Sequence, residues 1–206
     1  MLRVGVNDSL ETITDGELTQ MAARLTPECR ARAQRYKFRS GQVQSLVADS
    51  LLLDLMIEAT GERELPQCGV ADAAGKPVFR HRPDLHFNKS HCERAVVCVL
   101  SDAPVGVDVE VIPEAIDAEL CERCFSTEEI ADIVTAAEPA ERFAMLWTRK
   151  ESLLKLEGVG IIDDMPSLSS RYPYDRYHFD THISEAGRYV YTICTHIKHK
   201  QEITSI

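Results

Sequence analysis

The stretch Val105-Gly106-Val107-Asp108-Val109-Glu110-Val111 alternates strictly, and Pro113 closes it. A period of two is the signature of a strand, with the four valines on one side and Gly106, Asp108 and Glu110 on the other. Residues i and i+2 of a strand share a face, so the two carboxylates project together, within about 7 Å. Like charges that close repel unless something positive lies between them. Magnesium is such a partner, since it takes one or two carboxylates together with water and substrate phosphates. The valine side is expected to bury against a helix and hold the acidic side rigid. Taken alone, D-x-E is a common pattern, and an ordinary strand with a solvated acidic side is the better reading of it.

Working outward, helices are predicted over roughly 116–124, 127–137 and 139–157, a loop after Gly158, and strands over 177–183 and 188–197. Upstream, Thr14 or Asp15 can cap a short helix running to Leu25. Thr26-Pro27-Glu28 opens a second, with proline at the first helical position. From Gln42 to Ala59 the apolar residues cover nearly every face, which marks a core helix ended by Gly61. Gly75-Lys76-Pro77 reads as a turn, and 87–88 and 95–100 as short strands.

Composition narrows the class. The 206 residues suit one large domain or two small ones. A net charge of −10 argues against a general nucleic-acid binder, because phosphate neutralisation needs clustered cations. One local basic segment, Arg24 to Arg39, could meet a phosphorylated small molecule or an acidic partner, and reads equally well from its charges as a solvated helix face. Seven cysteines, an odd number, argue against a disulfide framework. Cys121-x-x-Cys124 lacks the second pair or the spaced histidines of a structural zinc site. The N-terminal residues carry no signal pattern, and no apolar run approaches membrane-spanning length. The expectation is a cytoplasmic protein with neither nucleic-acid nor membrane partners.

The helix around Trp147 is the more informative chemical element. Phe143, Leu146, Trp147, Leu153 and Leu154 form one apolar stripe, and Lys150 falls in its middle. Lysine is rarely buried without a partner. Its stem must snorkel outward, or its amine must meet a carboxylate or a phosphate. Glu151 and Lys155 flank the same stripe. A carboxylate and two amines beside an apolar face suggest a phosphate-and-metal site. Upstream, Phe125-Ser126-x-x-Glu129 reads as a capping box, with Glu129 able to add a further acid. Ser90 and His91, in Phe87-Asn88-Lys89-Ser90-His91, can donate to phosphate from a loop. No triad context supports a hydrolase pair there.

Gly75-Lys76-Pro77, F-N-x-S-H at 87–91, G-V-D-V-E at 106–110, F-S-x-x-E at 125–129 and W-x-x-K-E-S-x-x-K at 147–155 stand in one order and spacing. As a set, spanning 75–160, they resemble the 4′-phosphopantetheinyl transferases, and more narrowly the surfactin-type class. The resemblance implies an α+β fold of two similar halves, 1–101 and 102–206. Each half would be a small antiparallel sheet packed with helices, with coenzyme A in the cleft between them. The implied activity moves the phosphopantetheine arm of coenzyme A onto a serine of an apo acyl or peptidyl carrier protein. Adenosine 3′,5′-bisphosphate is released, with magnesium as cofactor and manganese able to substitute. Asp108, Glu110 and Glu151 match the metal-site acids, and Glu151 is also a candidate base. Glu129 matches a further acid, ligand or base. Lys155, with Lys150 beside it, falls near the phosphates, and Lys76, Ser90 and His91 at contacts to coenzyme A.

Two positions depart from the family pattern. Lys89 replaces an apolar residue, as an added phosphate contact or an exposed strand residue. Gln44 replaces an arginine of the long N-terminal helix, for which Arg30, Arg35 and Lys37 could compensate. One chain supplying both walls of the cleft implies a monomer. A different magnesium-dependent enzyme, such as a nucleotide phosphohydrolase, would share the carboxylates and lysines but not the ordered motifs. A non-catalytic relative would keep the fold.

Overall fold

The structure is a computed structural model that describes residues 1–70, 75–186 and 188–197. The first part of the chain gives β1 (Leu2–Asn7), α1 (Asp15–Arg24), α2 (Pro27–Gln34), α3 (Arg39–Thr60), β2 (Cys68–Val70), β3 (Pro77–Phe79), β4 (His86–His91) and β5 (Val96–Ser101). The second gives β6 (Val105–Val111), α4 (Ala118–Cys124), α5 (Thr127–Thr135), α6 (Pro139–Glu157), α7 (Leu168–Arg171), β7 (Tyr177–Ile183) and β8 (Tyr189–His196).

Local chemistry accounts for most boundaries. Thr14 and Glu17 form a reciprocal capping box at the start of α1, and the Thr26 hydroxyl receives the amide of Cys29 at the start of α2. Asp117 caps α4, accepting from the amides of Glu119 and Leu120. The core helices α3 and α6 both end on a left-handed glycine, Gly61 at φ 78° and Gly158 at φ 69°. The valine alternation gives β6 with the expected bounds. β1 was not anticipated, although Leu2-Arg3-Val4-Gly5-Val6 alternates too. α3 begins three residues earlier than expected, at Arg39. β4 continues to His91, so Ser90 and His91 stand on a strand rather than in a loop.

The fold is α+β, as expected. Two three-stranded antiparallel sheets, β1-β5-β4 and β6-β8-β7, share one topology. In each, a strand leads through a long helix to a hairpin whose last strand inserts between the other two. A two-stranded ribbon, β2-β3, flanks the first sheet.

The two sheets meet through their valine faces. Val97 and Val99 of β5 join Val105, Val107 and Val109 of β6, with Tyr189 and Ile193 of β8 completing the cluster. Helix α3 covers the back of the first sheet, where Leu52, Leu53 and Met56 meet Phe87, Cys98 and Leu100. Helix α6 covers the back of the second, where Leu153, Leu154 and Leu156 pack with Tyr177 and Cys194. This corrects the expected polarity of β6. Its valines face the other sheet, and the side bearing Asp108 and Glu110 lies under α6.

Gly106 makes that arrangement possible. A Cβ placed there would stand 2.0 Å from the carbonyl oxygen of Ser152 and 2.5 Å from the amide of Leu156. Only a residue without a side chain lets the α6 backbone lie so near β6. Gly106→Ala is therefore expected to lower the unfolding free energy by about 3 kcal/mol in urea titrations, the upper part of the range for overpacking. Gly16→Ala, where the nearest atom is the Thr14 hydroxyl at 3.8 Å, is expected to be neutral or to stabilise by about 0.5 kcal/mol.

Candidate functional site

Strands β4 and β6 belong to different sheets but run against each other, and side chains join them. The Asn88 side-chain oxygen accepts the amide of Val107 at 2.9 Å, and the Ser90 hydroxyl donates to Asp108 Oδ1 at 2.9 Å. From α6, Lys155 Nζ closes the knot, 2.6 Å from Asp108 Oδ1 and 2.9 Å from the Ser90 oxygen. Asp108 is only 3 % exposed, so its charge depends on these donors. Beside the knot opens a cleft of about 290 Å³, walled by Lys76, Pro77, Asn88, Lys89, Glu151 and Lys155. Lys76 reaches across from the first half of the chain and donates to the Leu156 carbonyl at the end of α6, at 2.5 Å.

Three carboxylates converge on this place. Burial pushes the Glu151 carboxyl up to about 7, and the neighbouring charges of Asp108 and Glu110 push the same way against Lys155. Glu110 is raised by burial and then by Asp108, with a hydrogen bond from Trp147 and the charge of Lys155 opposing. Asp108 Oδ2 and Glu151 Oε1 are buried with no hydrogen-bond partner among the described residues. No three His, Cys, Asp or Glu side chains among the described residues stand in an arrangement ready to hold a metal ion. The donor chemistry nonetheless fits a hard divalent cation. Two buried carboxylate oxygens have nothing bound to them, and every acid present offers oxygen.

Lys150 and Glu129 lie elsewhere, paired with each other. Lys150 is 1 % exposed. Its amine meets Glu129 Oε2 at 2.7 Å, donates to the carbonyls of Cys124 and Met165 at 2.9 Å each, and sits 5.1 Å from the centre of the Phe125 ring. Glu129 also accepts the Ser126 amide at 2.8 Å, the return bond of the capping box. Of the alternatives for the misplaced lysine, the carboxylate is the one realised. A lysine sealed by three oxygens has no donor left for a coenzyme, so its expected place at the phosphates is corrected. Glu129 is likewise engaged away from the acid cluster, and the acids whose charge reaches Glu151 are Asp108 and Glu110.

Half of the six cations in the basic segment are paired with acids elsewhere in the chain. Arg24 pairs with Asp54, Arg32 with Asp49, and Arg39 with Asp15. Arg30 donates to the Ala22 and Leu25 carbonyls at the end of α1, so it is committed to closing that helix rather than to a phosphate. Arg35 is exposed at the end of α2, with no ion pair among the described residues. His91 occupies the exposed end of β4 and edges a separate cavity of about 480 Å³ beside Gln44, whose amide donates to the Cys92 carbonyl at 2.9 Å. Lys89 is neither a free phosphate contact nor a merely exposed residue. Its amine lies 2.6 Å from Asp49, a carboxylate 1 % exposed inside α3 that also holds Arg32 at 2.6 Å. Sequence reasoning missed Asp49 and the bridging role of Asn88. The signal for Asp49 was present, since an acid in a helix apolar all round is as misplaced as Lys150. Cys121 and Cys124 are free and buried in α4.

Comparison with known proteins shows the family of the chain. Residues 104–198 match the 4′-phosphopantetheinyl transferase superfamily. The chain is 34 % identical over 177 residues to the 4′-phosphopantetheinyl transferase psf-1 of Bacillus pumilus, covering 81 % of this chain and 73 % of that protein. It is 32 % identical over 170 residues to a 4′-phosphopantetheinyl transferase of Bacillus subtilis, covering 79 % and 73 %. Against the 4′-phosphopantetheinyl transferase Sfp of Bacillus subtilis strain 168 it is 30 % identical over 156 residues, covering 73 % and 68 %. The chain thus belongs to the 4′-phosphopantetheinyl transferases, a family of transferases, with relatives of the Sfp and psf-1 type.

The Lys150–Glu129 pair is open to a direct test. Glu129→Ala strands a buried ammonium and is expected to cost about 3–5 kcal/mol in urea unfolding. In the double variant Glu129→Gln with Lys150→Met, the capping box is retained and no charge is buried, so most of that loss should be recovered.

Proposed function

We propose that this chain transfers the 4′-phosphopantetheine arm of coenzyme A to a serine hydroxyl of an apo acyl or peptidyl carrier protein, releasing adenosine 3′,5′-bisphosphate. The observation that carries the reading is the knot of Lys155, Ser90 and Asp108 beside a cleft lined by three lysines and Glu151, with one oxygen each of Asp108 and Glu151 buried without a partner among the described residues. In the reaction the serine oxygen bonds to the β-phosphorus. The bridging oxygen leaves with its electron pair on the adenosine bisphosphate. Such transfer needs positioning and charge neutralisation more than covalent help.

Lys155 and Lys76 supply fixed positive charge for the diphosphate, and Ser90 a hydroxyl donor. Glu151 receives the serine proton. Without a metal ion beside it, burial pushes that carboxyl up to about 7, and its place beside the cleft is what recommends it as the base. Asp108, Glu110 and Glu151 are the residues that would hold magnesium, or manganese in its place. Such an ion, when bound, neutralises negative charge on the diphosphate.

The repeated topology supports a division of the chain at 101/102, with the site between the halves, and a monomer whose single chain provides both walls. Seven free thiols support a reducing, cytoplasmic setting. No helix among the described residues is long and apolar enough to cross a membrane.

The deciding experiment is a mass spectrum of an apo carrier protein after incubation with this protein, coenzyme A and magnesium. A gain of one phosphopantetheine that disappears on chelation is expected. Coenzyme A binding with no gain across several carrier classes would instead favour a non-catalytic relative. Release of phosphate from nucleotides would favour a phosphohydrolase. Asp108→Asn and Glu151→Gln are each expected to cut turnover by about 10²–10³-fold while leaving the circular dichroism spectrum unchanged. Retained turnover in either would count heavily against the assignment.

A further inference from the structure

Helix α6 has a second functional-looking side. Between it and β7 lies a cavity of about 310 Å³ lined by Arg142, Leu146, Arg149, Tyr177, Phe179 and Thr181, none of which lines the cleft. Arg149 precedes Glu151 by two positions, about 200° around the helix, so the two side chains leave α6 on nearly opposite sides.

The guanidinium carbon of Arg149 lies 4.5 Å from the centre of the Tyr174 ring and 4.3 Å from that of Phe179. The rings meet edge to face at 5.6 Å and 73°, so the cation rests in the corner they form. It makes no hydrogen bond to any described residue, and its Nε is buried without a partner. The hydroxyl of Tyr174 beside it is buried and unpartnered too.

Neighbouring charges are already matched. Arg142 holds Asp132 at 2.5 Å, and Glu129 is engaged by Lys150 and the Ser126 amide. On β7, Asp180 lies 3.0 Å from the His182 ring, while the alternation turns Phe179 and Thr181 toward the cavity. Burial lowers the proton affinity of Arg149, yet a guanidinium keeps its charge in proteins. What remains is a fixed cation, oriented by two rings, whose hydrogen-bonding edge has no partner. Buried donors of this kind are otherwise almost always satisfied.

We propose that this pocket binds a small organic oxyanion, a carboxylate or a phosphate. The charged group would lie on the guanidinium of Arg149 with Arg142 flanking, and an apolar body against Leu146, Tyr177 and Phe179. Arginine held by ring stacking presents its donors as a planar fork that matches such groups. The volume lies at the small end of ligand pockets.

The test is a titration of the ¹⁵N-labelled full chain, following the Nε–H resonance of Arg149 with inorganic phosphate, benzoate and acetate as separate probes. A saturating shift is expected with a Kd on the order of 1 mM for benzoate or phosphate. If the carboxylate is the preferred group, benzoate should bind about tenfold more tightly than acetate. Arg149→Met should abolish saturable binding while leaving transfer to the carrier protein unchanged, which keeps this site separate from the reading of the cleft. Arg142→Met should weaken binding about threefold, and covers the case in which the first variant does not fold. No saturating shift with any of the three, an undiminished response in Arg149→Met, or an equal response to neutral benzyl alcohol would overturn the proposal.

Discussion

The ammonium of Lys155, lodged between the Ser90 hydroxyl and Asp108, is the contact on which the cleft depends. It joins a strand of one sheet, a strand of the other and the helix that covers the second. A buried carboxylate without such donors would be neutralised or would destabilise its surroundings. Two further features must be in place for the contact to form. Gly106 lets α6 approach β6 until their backbones touch, which brings Glu151 and Lys155 over Asp108. Asn88 anchors β4 to the β6 backbone and so places Ser90. The knot is therefore built at a seam that needs residues of both sheets and of α6.

That seam also explains which parts were legible in sequence. Elements with their own periodicity were read to within a few residues, as β6 and α6 show. Caps were readable because a single side chain within three residues decides them, as at Thr14 and Ser126. The pairing of β4 with β6 left no such trace. It depends on residues 18 and 19 positions apart, in different sheets, meeting through side chains. The orientation of β6 was misread for a related reason. Its valine face announces burial but does not say whether a helix or a sheet buries it, and a glycine on the other face was the clue to the helix.

Neighbouring cations on α6 illustrate how far a misplaced charge can be interpreted. Lys150 looked like a ligand for phosphate, and its position in an apolar stripe was a sound reason to expect a partner. The partner is Glu129, the N3 residue of a capping box, so one carboxylate closes the start of α5 and neutralises the core of α6. Arg149, one residue earlier, has the reverse history. Nothing in its sequence setting stood out, yet in the folded chain its neighbours are rings rather than acids. Sequence identifies charges that need an explanation only where the pattern around them is strong.

Lys89 and Asp49 extend the same logic to the departures from the family pattern. A lysine where relatives carry an apolar residue would be costly beside a core helix if it stood alone. Here α3 carries Asp49 at a depth where only one per cent of its surface remains, and Lys89 and Arg32 hold its two oxygens. Without Lys89, one oxygen of the buried Asp49 would lose its donor, and without Asp49 both Lys89 and Arg32 would lose their acid. The pair must be read as one unit that spans α3 and β4. Lys89 borders the cleft with its amine bound to that acid, just as Lys155 borders it with its amine bound to Asp108. The cleft is thus less basic than a count of its lysines suggests, because two of the three are already paired with buried carboxylates.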